Sequence, residues 1–174
     1  IKPKTILDVA TGTGDFALAC LPLNPDSIIG MDISRGMLDM GIKKLNTLKI
    51  ASSKIQLIED NAETTTSYDQ YFDLIVVAFG VRNFENLDRG LSNIYRMLKP
   101  NGVLCVLEFA YPQQKWVRHL YHIYFKWIVP LIGRLCSADQ NAYRYLFNSV
   151  QAFPHFDAFA VHLSQNGFTK NYYK

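Results

Sequence analysis

The sequence predicts an α/β fold: a doubly wound, mostly parallel sheet with a helical insertion after the fifth strand. Three observations predict it. Short apolar runs and amphipathic segments alternate through five strands ahead of Ala110. The first run ends in a glycine-bearing turn directly before a helix. The run from Phe72 to Phe79 is continuous and β-branched, as parallel strands covered on both faces are. With 174 residues, 49% apolar and 19% charged, the chain is long enough for one sizeable core and too apolar to stay disordered.

Taken in order, Thr5-Ile6-Leu7-Asp8-Val9 is the first strand, closed by the turn Ala10-Thr11-Gly12-Thr13-Gly14-Asp15. A helix over Phe16 to Leu21 follows, and Pro22 with the Asn24-Pro25-Asp26 turn stops it. Ser27-Ile28-Ile29-Gly30-Met31, ending at Asp32, is a second buried strand, so the opening unit is βαβ. Ser34 caps a helix running to Leu48, with Met37, Leu38, Ile42, Leu45 and Leu48 spaced along one face. Lys54 to Glu59 is the third strand. After the polar stretch Asn61 to Tyr71, the fourth strand, Phe72 to Phe79, belongs at the sheet centre. Leu87 to Leu98 is an amphipathic helix ended by Lys99-Pro100-Asn101-Gly102, and Val103 to Phe109 is the fifth strand. Beyond Ala110 come an aromatic-rich helical segment from Trp116 to Cys136, a stretch from Asp139 to Phe147, a helix from Phe156 to Gln165 and a short terminal strand from Phe168 to Tyr173. No repeat, low-complexity tract or linker marks a second domain, so residues 1–174 read as one.

Composition narrows the function classes. A net charge of +3 supplies no basic patch for nucleic acid. Cys20, Cys105 and Cys136 lack CxxC spacing, which argues against a disulfide framework or a zinc site and suits a reducing cytoplasm. No apolar run reaches the ~18 residues of a membrane span, so the expectation is a soluble protein, with peripheral membrane contact left open.

The first loop bears on the cofactor. Gly12-x-Gly14-x-x-Ala17 meets the relaxed dinucleotide fingerprint, and Asp32 stands where an acid binds ribose hydroxyls. Charge separates the candidates. A pyrophosphate at the helix N-terminus meets repulsion from Asp15 in the turn and Asp8 at the strand end, whereas S-adenosyl-L-methionine has no phosphate and carries a sulfonium and an ammonium. The sequence therefore favours S-adenosyl-L-methionine over a nicotinamide dinucleotide, cradled by Asp8, Gly12, Gly14 and Asp15 with Asp32 on the ribose diol. The plainer alternative makes Asp8 and Asp15 a turn acid and a first-turn helix acid. Asn61, in Asp60-Asn61-Ala62, either meets an adenine edge or closes an Asx turn.

These residues resemble a class I S-adenosylmethionine-dependent methyltransferase, and more narrowly the family that C-methylates the quinone ring in menaquinone and ubiquinone biosynthesis. The likeness rests on Leu7-Asp8-Val9-Ala10-Thr11-Gly12-Thr13-Gly14-Asp15, Gly30-Met31-Asp32-Ile33-Ser34-Arg35-Gly36-Met37-Leu38, Asp60-Asn61-Ala62-Glu63 and Phe79-Gly80-Val81-Arg82-Asn83. Leu98-Lys99-Pro100-Asn101-Gly102, Leu107-Glu108-Phe109-Ala110-x-Pro112 and Tyr143-Arg144-Tyr145-Leu146 extend it over nearly the whole chain. The resemblance implies a Rossmann-like fold and cofactor contacts at Thr13, Asp32, Asn61 and Ala62. It places Ala78 where the family often has a small hydroxyl residue near the site. It also implies that this chain lacks the family's N-terminal helical segment and last strand.

The reaction so implied is C-methylation of a demethylated prenyl-quinol. A ring carbon becomes nucleophilic enough once an adjacent hydroxyl is deprotonated, and a nearby cation lowers that hydroxyl's pKa. Arg82, directly beyond the fourth strand, is either this cation or a loop arginine that is solvated or paired with Glu85, and the resemblance favours catalysis. Asp139, Tyr145 and the histidines are the candidates for proton removal. His119 and His122 lack a third ligand at suitable spacing, so no metal is expected, and His155 and His162 read as ordinary histidines. Glu108 is an acid beside the site or a cap for the next turn. The segment from Trp116 to Ile132 either packs as a core helix or, with Arg118, Lys126 and Arg134, meets a lipid interface around the prenyl tail. The competing functions are an oxygen or nitrogen methyltransferase acting on another small apolar molecule and a non-catalytic subunit binding S-adenosylmethionine or lipid. Oligomeric state is not legible.

Overall fold

A computed structural model describes residues 2–109 and 148–172, together with Gln114, Trp116 and Tyr145. The chain divides into two compact units, Ile1–Glu108 with His162–Tyr172, and Phe109–Val161 with Tyr173–Lys174. The aromatic segment apart from Trp116, with His119, His122, Cys136 and Asp139, lies outside the described residues.

The first unit is a five-stranded sheet in the order β3-β2-β1-β4-β5. Its strands are β1 (Thr5–Val9), β2 (Ser27–Asp32), β3 (Ile55–Glu59), β4 (Phe72–Ala78) and β5 (Leu98–Leu107), all paired in parallel. β1 takes the middle, and β4 is interior, paired on both edges by β1 and β5. Between them run α1 (Asp15–Ala19), α2 (Arg35–Thr47) and α3 (Leu87–Met97). The chain leaves β1 toward β2 and β3, then returns to build β4 and β5 on the other side. Right-handed crossovers in opposite directions put α1 and α2 on one face of the sheet and α3 on the other. The reversal of direction between β1 and β4 opens the crevice where such folds bind ligands.

Alternation along the strands feeds both faces. Ile6, Ile28, Ile55 and Val76 pack with Ala17, Cys20 and Leu45 on the α1–α2 side. Their neighbours Leu7, Val9, Ile75 and Val77 are buried on the opposite side. Each such side chain contributes roughly 1.5–3 kcal/mol of burial. The second helix differs from its expected face: Leu38, Gly41 and Leu45 are buried, whereas Met37, Ile42 and Leu48 are largely exposed. The helix is seated through Gly41, where an added Cβ would lie 2.6 Å from a Leu57 methyl and 3.0 Å from the Thr13 carbonyl. That close approach rotates the inward stripe away from the larger apolar residues.

Three boundaries also differ. α1 stops at Ala19, and a 3-10 turn over Leu21–Leu23 takes up the rest of the expected helix, as Pro22 requires. β5 begins at Leu98, opposite Phe72, and an irregularity carries the pairing to Val103 opposite Leu74. The expected terminal strand is absent among residues 168–172. Phe168 instead closes α4 (Phe156–Gln165): its N–H donates to the Leu163 carbonyl at 3.0 Å, Gly167 turns the chain at φ +93°, and the Phe168 ring packs edge-on against Tyr95. In the second unit residues 148–152 are helical and Val150 is buried.

Candidate functional site

The carboxyl ends of β1, β2, β3 and β4 carry four loops. Ala10 and Phe79, the first residues beyond β1 and β4, both adopt left-handed backbone at φ 55° and 57°. Neither is glycine, so each costs about 1–2 kcal/mol, and strain of this kind gathers at functional sites. The two loops touch: a Cβ on Gly80 would lie 2.5 Å from the Ala10 Cβ.

In the first loop Gly12 and Gly14 turn at φ 58° and 77°, which brings the chain back over β1 and into α1. Asp8, at the floor, is fully buried, and its Oδ2 accepts from the Thr11 hydroxyl at 2.6 Å. Its Oδ1 is buried with no hydrogen-bond partner. Burial pushes this carboxyl up to about 6 from its ordinary 3.8, against the lowering effect of the Thr11 hydroxyl and the Ala17 amide and with the added charge of Asp32. Asp32 ties two loops together, Oδ2 accepting from the Gly12 N–H and Oδ1 from the Ser34 N–H, each at 2.8 Å. Asp15 is on the surface and accepts from Lys44 Nζ at 2.8 Å and from the Thr13 hydroxyl at 2.6 Å, and these two donors lower its pKa. Lys44 also reaches the Thr13 carbonyl at 3.1 Å.

Beyond β3, Asp60 accepts from the Asn61 N–H and the Thr65 hydroxyl, each at 2.7 Å. The Asn61 side chain closes an Asx turn by accepting from the Glu63 N–H at 2.8 Å. Ala62 is buried. The Asp60 N–H donates to the Asp32 carbonyl at 3.1 Å, so the ends of β2 and β3 are joined. Asp8, Asp32 and Asp60 thus stand at or just beyond the ends of three adjacent strands, which favours a cationic group and repels phosphate.

Beyond β4, Ala78 is the last strand residue, and a 3-10 turn over Val81–Asn83 presents Arg82. Arg82 pairs with Glu108, just beyond β5. Nη1 lies 2.5 Å from Oε1, the Arg82 N–H approaches Oε2 at 3.4 Å, and the side chains are only 10% and 6% exposed. Its carboxylate partner is therefore Glu108, and both residues make further contacts. Tyr145, in the second unit, has helical backbone and is 59% exposed.

The sequence reading passed over three contributors. Ile33, next to Asp32, is 70% exposed, and Met37 reaches over Gly12, where an added Cβ would meet its Cε at 2.9 Å. In the sequence both stand only as part of a motif or a helix pattern. Glu63 is buried and accepts from the backbone N–H groups of Glu85 and Asn86. Its place in Asp60-Asn61-Ala62-Glu63 was the one available signal. Among the described residues no three His, Cys, Asp or Glu side chains gather as a metal site would require, and no helix is long and apolar enough to cross a membrane.

Comparison with known proteins agrees with this architecture. A demethylmenaquinone methyltransferase from Bacteroides fragilis is 43% identical over 170 residues, a match covering 97% of this chain and 69% of that protein. The ubiquinone/menaquinone biosynthesis C-methyltransferase UbiE of Geotalea daltonii is 41% identical over 165 residues, covering 94% of this chain and 69% of the relative. Among solved structures, phosphoethanolamine N-methyltransferase 2 of Haemonchus contortus in complex with S-adenosyl-L-methionine has a TM-score of 0.69 at 16% identity, over 95% of this chain and 33% of that one. An S-adenosylmethionine-dependent methyltransferase from Aquifex aeolicus gives 0.58 at 20% identity, over 75% of this chain and 70% of that one. These two likenesses establish the fold. Residues 1–174 match the model of the ubiE/COQ5 methyltransferase family, and the chain belongs to that family.

Proposed function

We propose that this chain transfers a methyl group from S-adenosyl-L-methionine to a ring carbon of a demethylated prenyl-quinol. The observation that carries the proposal is the acid-lined crevice beside the buried Arg82–Glu108 ion pair, in a chain 43% identical to a demethylmenaquinone methyltransferase. The crevice fits the cofactor's charge: Asp8 Oδ1 is an unpartnered buried acceptor suited to an ammonium, and each Asp32 oxygen retains a lone pair for a ribose hydroxyl. Gly12, Thr13, Gly14 and Asp15 form the turn over the methionine portion. Asn61 and Ala62 would meet the adenine, and Ala78, at the end of β4, would stand close to the bound cofactor.

S-adenosyl-L-methionine, when bound, supplies an electrophilic sulfonium methyl. The protein's part is to hold the quinol carbon in line with it and keep water out. Arg82 stabilises the phenolate form of the neighbouring hydroxyl, which raises electron density on the ring carbon. The carbon–carbon bond forms as the sulfur–carbon bond breaks, and loss of the ring proton restores aromaticity. Asp139 and Tyr145 are the groups assigned to receive that proton. The prenyl tail makes peripheral contact with a membrane the natural setting for the substrate.

The test pairs chemistry with binding. Mass spectrometry of quinones from cells lacking this protein should show a species lighter by one methyl. Arg82→Lys, which keeps the charge and loses the planar fork, should bind S-adenosylmethionine as wild type does by calorimetry and transfer methyl about a hundredfold more slowly. Unchanged transfer to the quinol would reject the role of Arg82 and favour an oxygen or nitrogen acceptor. Tight cofactor binding without turnover on any quinol would favour a non-catalytic subunit.

A further inference from the structure

We propose that Glu63 is a positioning residue that couples the loop assigned to the adenine with the loop that carries Arg82. The inference rests on the cofactor and Arg82 assignments above and extends them to a residue that touches neither ligand.

The coupling is a chain of short contacts. Asn61 holds the Glu63 N–H at 2.8 Å, and the Asn93 side-chain amide, on α3, donates to the Ala62 carbonyl at 3.1 Å. The Glu63 carboxylate then spans to the next loop, Oε1 accepting from the Glu85 N–H at 2.9 Å and Oε2 from the Asn86 N–H at 2.8 Å. The side chain is 7% exposed, with Arg89 Nη2 4.0 Å away. Two successive backbone donors aimed at one side chain require an acceptor on both arms, which a carboxyl group offers and an amide does not. Glutamine would turn an NH₂ group toward one of the N–H groups.

The segment beyond is stiff enough to transmit position. Asn83 N–H donates to the Gly80 carbonyl at 3.0 Å and Phe84 N–H to the Val81 carbonyl at 3.2 Å, so the turn bearing Arg82 is bonded internally. The Phe84 ring presses on Gly90 of α3, where an added Cβ would lie 2.3 Å from a ring carbon. Asn86 accepts from the Arg89 N–H at 3.0 Å and caps α3. Glu85 and Asn86 therefore cannot shift without moving the turn before them or the helix after them. Ordering of the Asn61 loop by an adenine is thereby felt at Arg82, and by reciprocity an ordered Arg82 loop tightens cofactor binding.

Residue-resolved amide exchange on the full-length protein, with and without S-adenosylhomocysteine, tests this. In wild type the ligand should slow exchange at Gly12 and Asn61 and also at Glu85 and Asn86. In Glu63→Gln the Glu85 and Asn86 amides should exchange about tenfold faster at rest. Ligand should still slow Gly12 and Asn61 in the variant but no longer slow the distant pair. Turnover should fall about tenfold with the quinol KM unchanged, since the contact weakened by displacing Arg82 is one made to the charge that develops in the transition state. Equal ligand-induced slowing of Glu85 and Asn86 in both proteins would overturn the coupling. Slowing of Gly12 and Asn61 alone in wild type would overturn it while leaving the cofactor assignment intact. No slowing at any of the four would overturn the cofactor assignment and this inference with it.

Discussion

Arg82 and Glu108 form a buried ion pair across the ends of two neighbouring strands, with Nη1 2.5 Å from Oε1. A carboxylate so placed fixes where the guanidinium points and offsets the cost of burying it. Removing one partner of such a pair takes a close neutralising charge away from the other, which stays buried. Glu108→Gln should therefore lower the free energy of unfolding by about 3 kcal/mol, read from urea midpoints. Replacing both residues together, Arg82→Met with Glu108→Leu, should recover most of that loss while abolishing methyl transfer.

Asp8 should make cofactor affinity depend on pH. Its carboxyl is raised to about 6, so the folded state favours the protonated form. The stability this group contributes is full below about pH 4 and is lost as pH rises through 6. An ammonium needs the opposite, charged form. Calorimetry should find S-adenosylmethionine binding roughly tenfold weaker at pH 5 than at pH 8. Asp8→Asn should bind weakly and with a flat profile. The same variant should gain stability relative to wild type as pH rises from 4 to 8.

Asp73 acts in the other direction, far from the site. Partial burial pushes its carboxyl up, but the Thr5 amide, Lys99, the Thr5 hydroxyl and the Lys4 amide outweigh this and hold it at about 2 instead of 3.8. The stability it contributes is present above about pH 4 and is lost as pH falls through 2. Asp73→Asn should have a lower urea midpoint than wild type at pH 7, and the difference should close between pH 4 and pH 2.

Gly80 is where the loops after β1 and β4 press together. A methyl there would stand 2.5 Å from the Ala10 Cβ and 3.2 Å from a Val77 methyl, and Cβ atoms cannot swing aside. Gly80→Ala should cost about 1–3 kcal/mol and displace the turn bearing Arg82. Thermal unfolding and turnover should both fall, whereas Gly36→Ala, in open space on α2, should leave turnover unchanged and raise the unfolding temperature slightly.

Much of the fold was legible because its signals are local. The buried runs of β1, β2 and β4, the Gly12-x-Gly14 turn and the span of α4 all appear where periodicity and punctuation put them. The inner face of α2 is not legible in its apolar spacing because Gly41, a residue with no side chain, decides it. The expected terminal strand gives way because Phe168 finds Tyr95, a partner distant in sequence. Within the site, the acids at the strand ends were legible, but their separate fates were not. Asp15 is a surface partner of Lys44, Asp32 laces two loops, and Asp8 alone is buried with an oxygen unpartnered.

By itself the sequence determined the order and kind of elements, the glycine turn and the presence of an acid at or beside each of the first three strand ends, since each follows from residues a few positions apart. Tertiary structure alone decided that Arg82 meets Glu108 and that Glu63 holds Glu85 and Asn86. Those partners lie more than twenty residues apart, and many carboxylates in the chain carry the same chemistry. Only the parallel register of the strands, which lines up their carboxyl ends, selects which of them come within hydrogen-bonding distance.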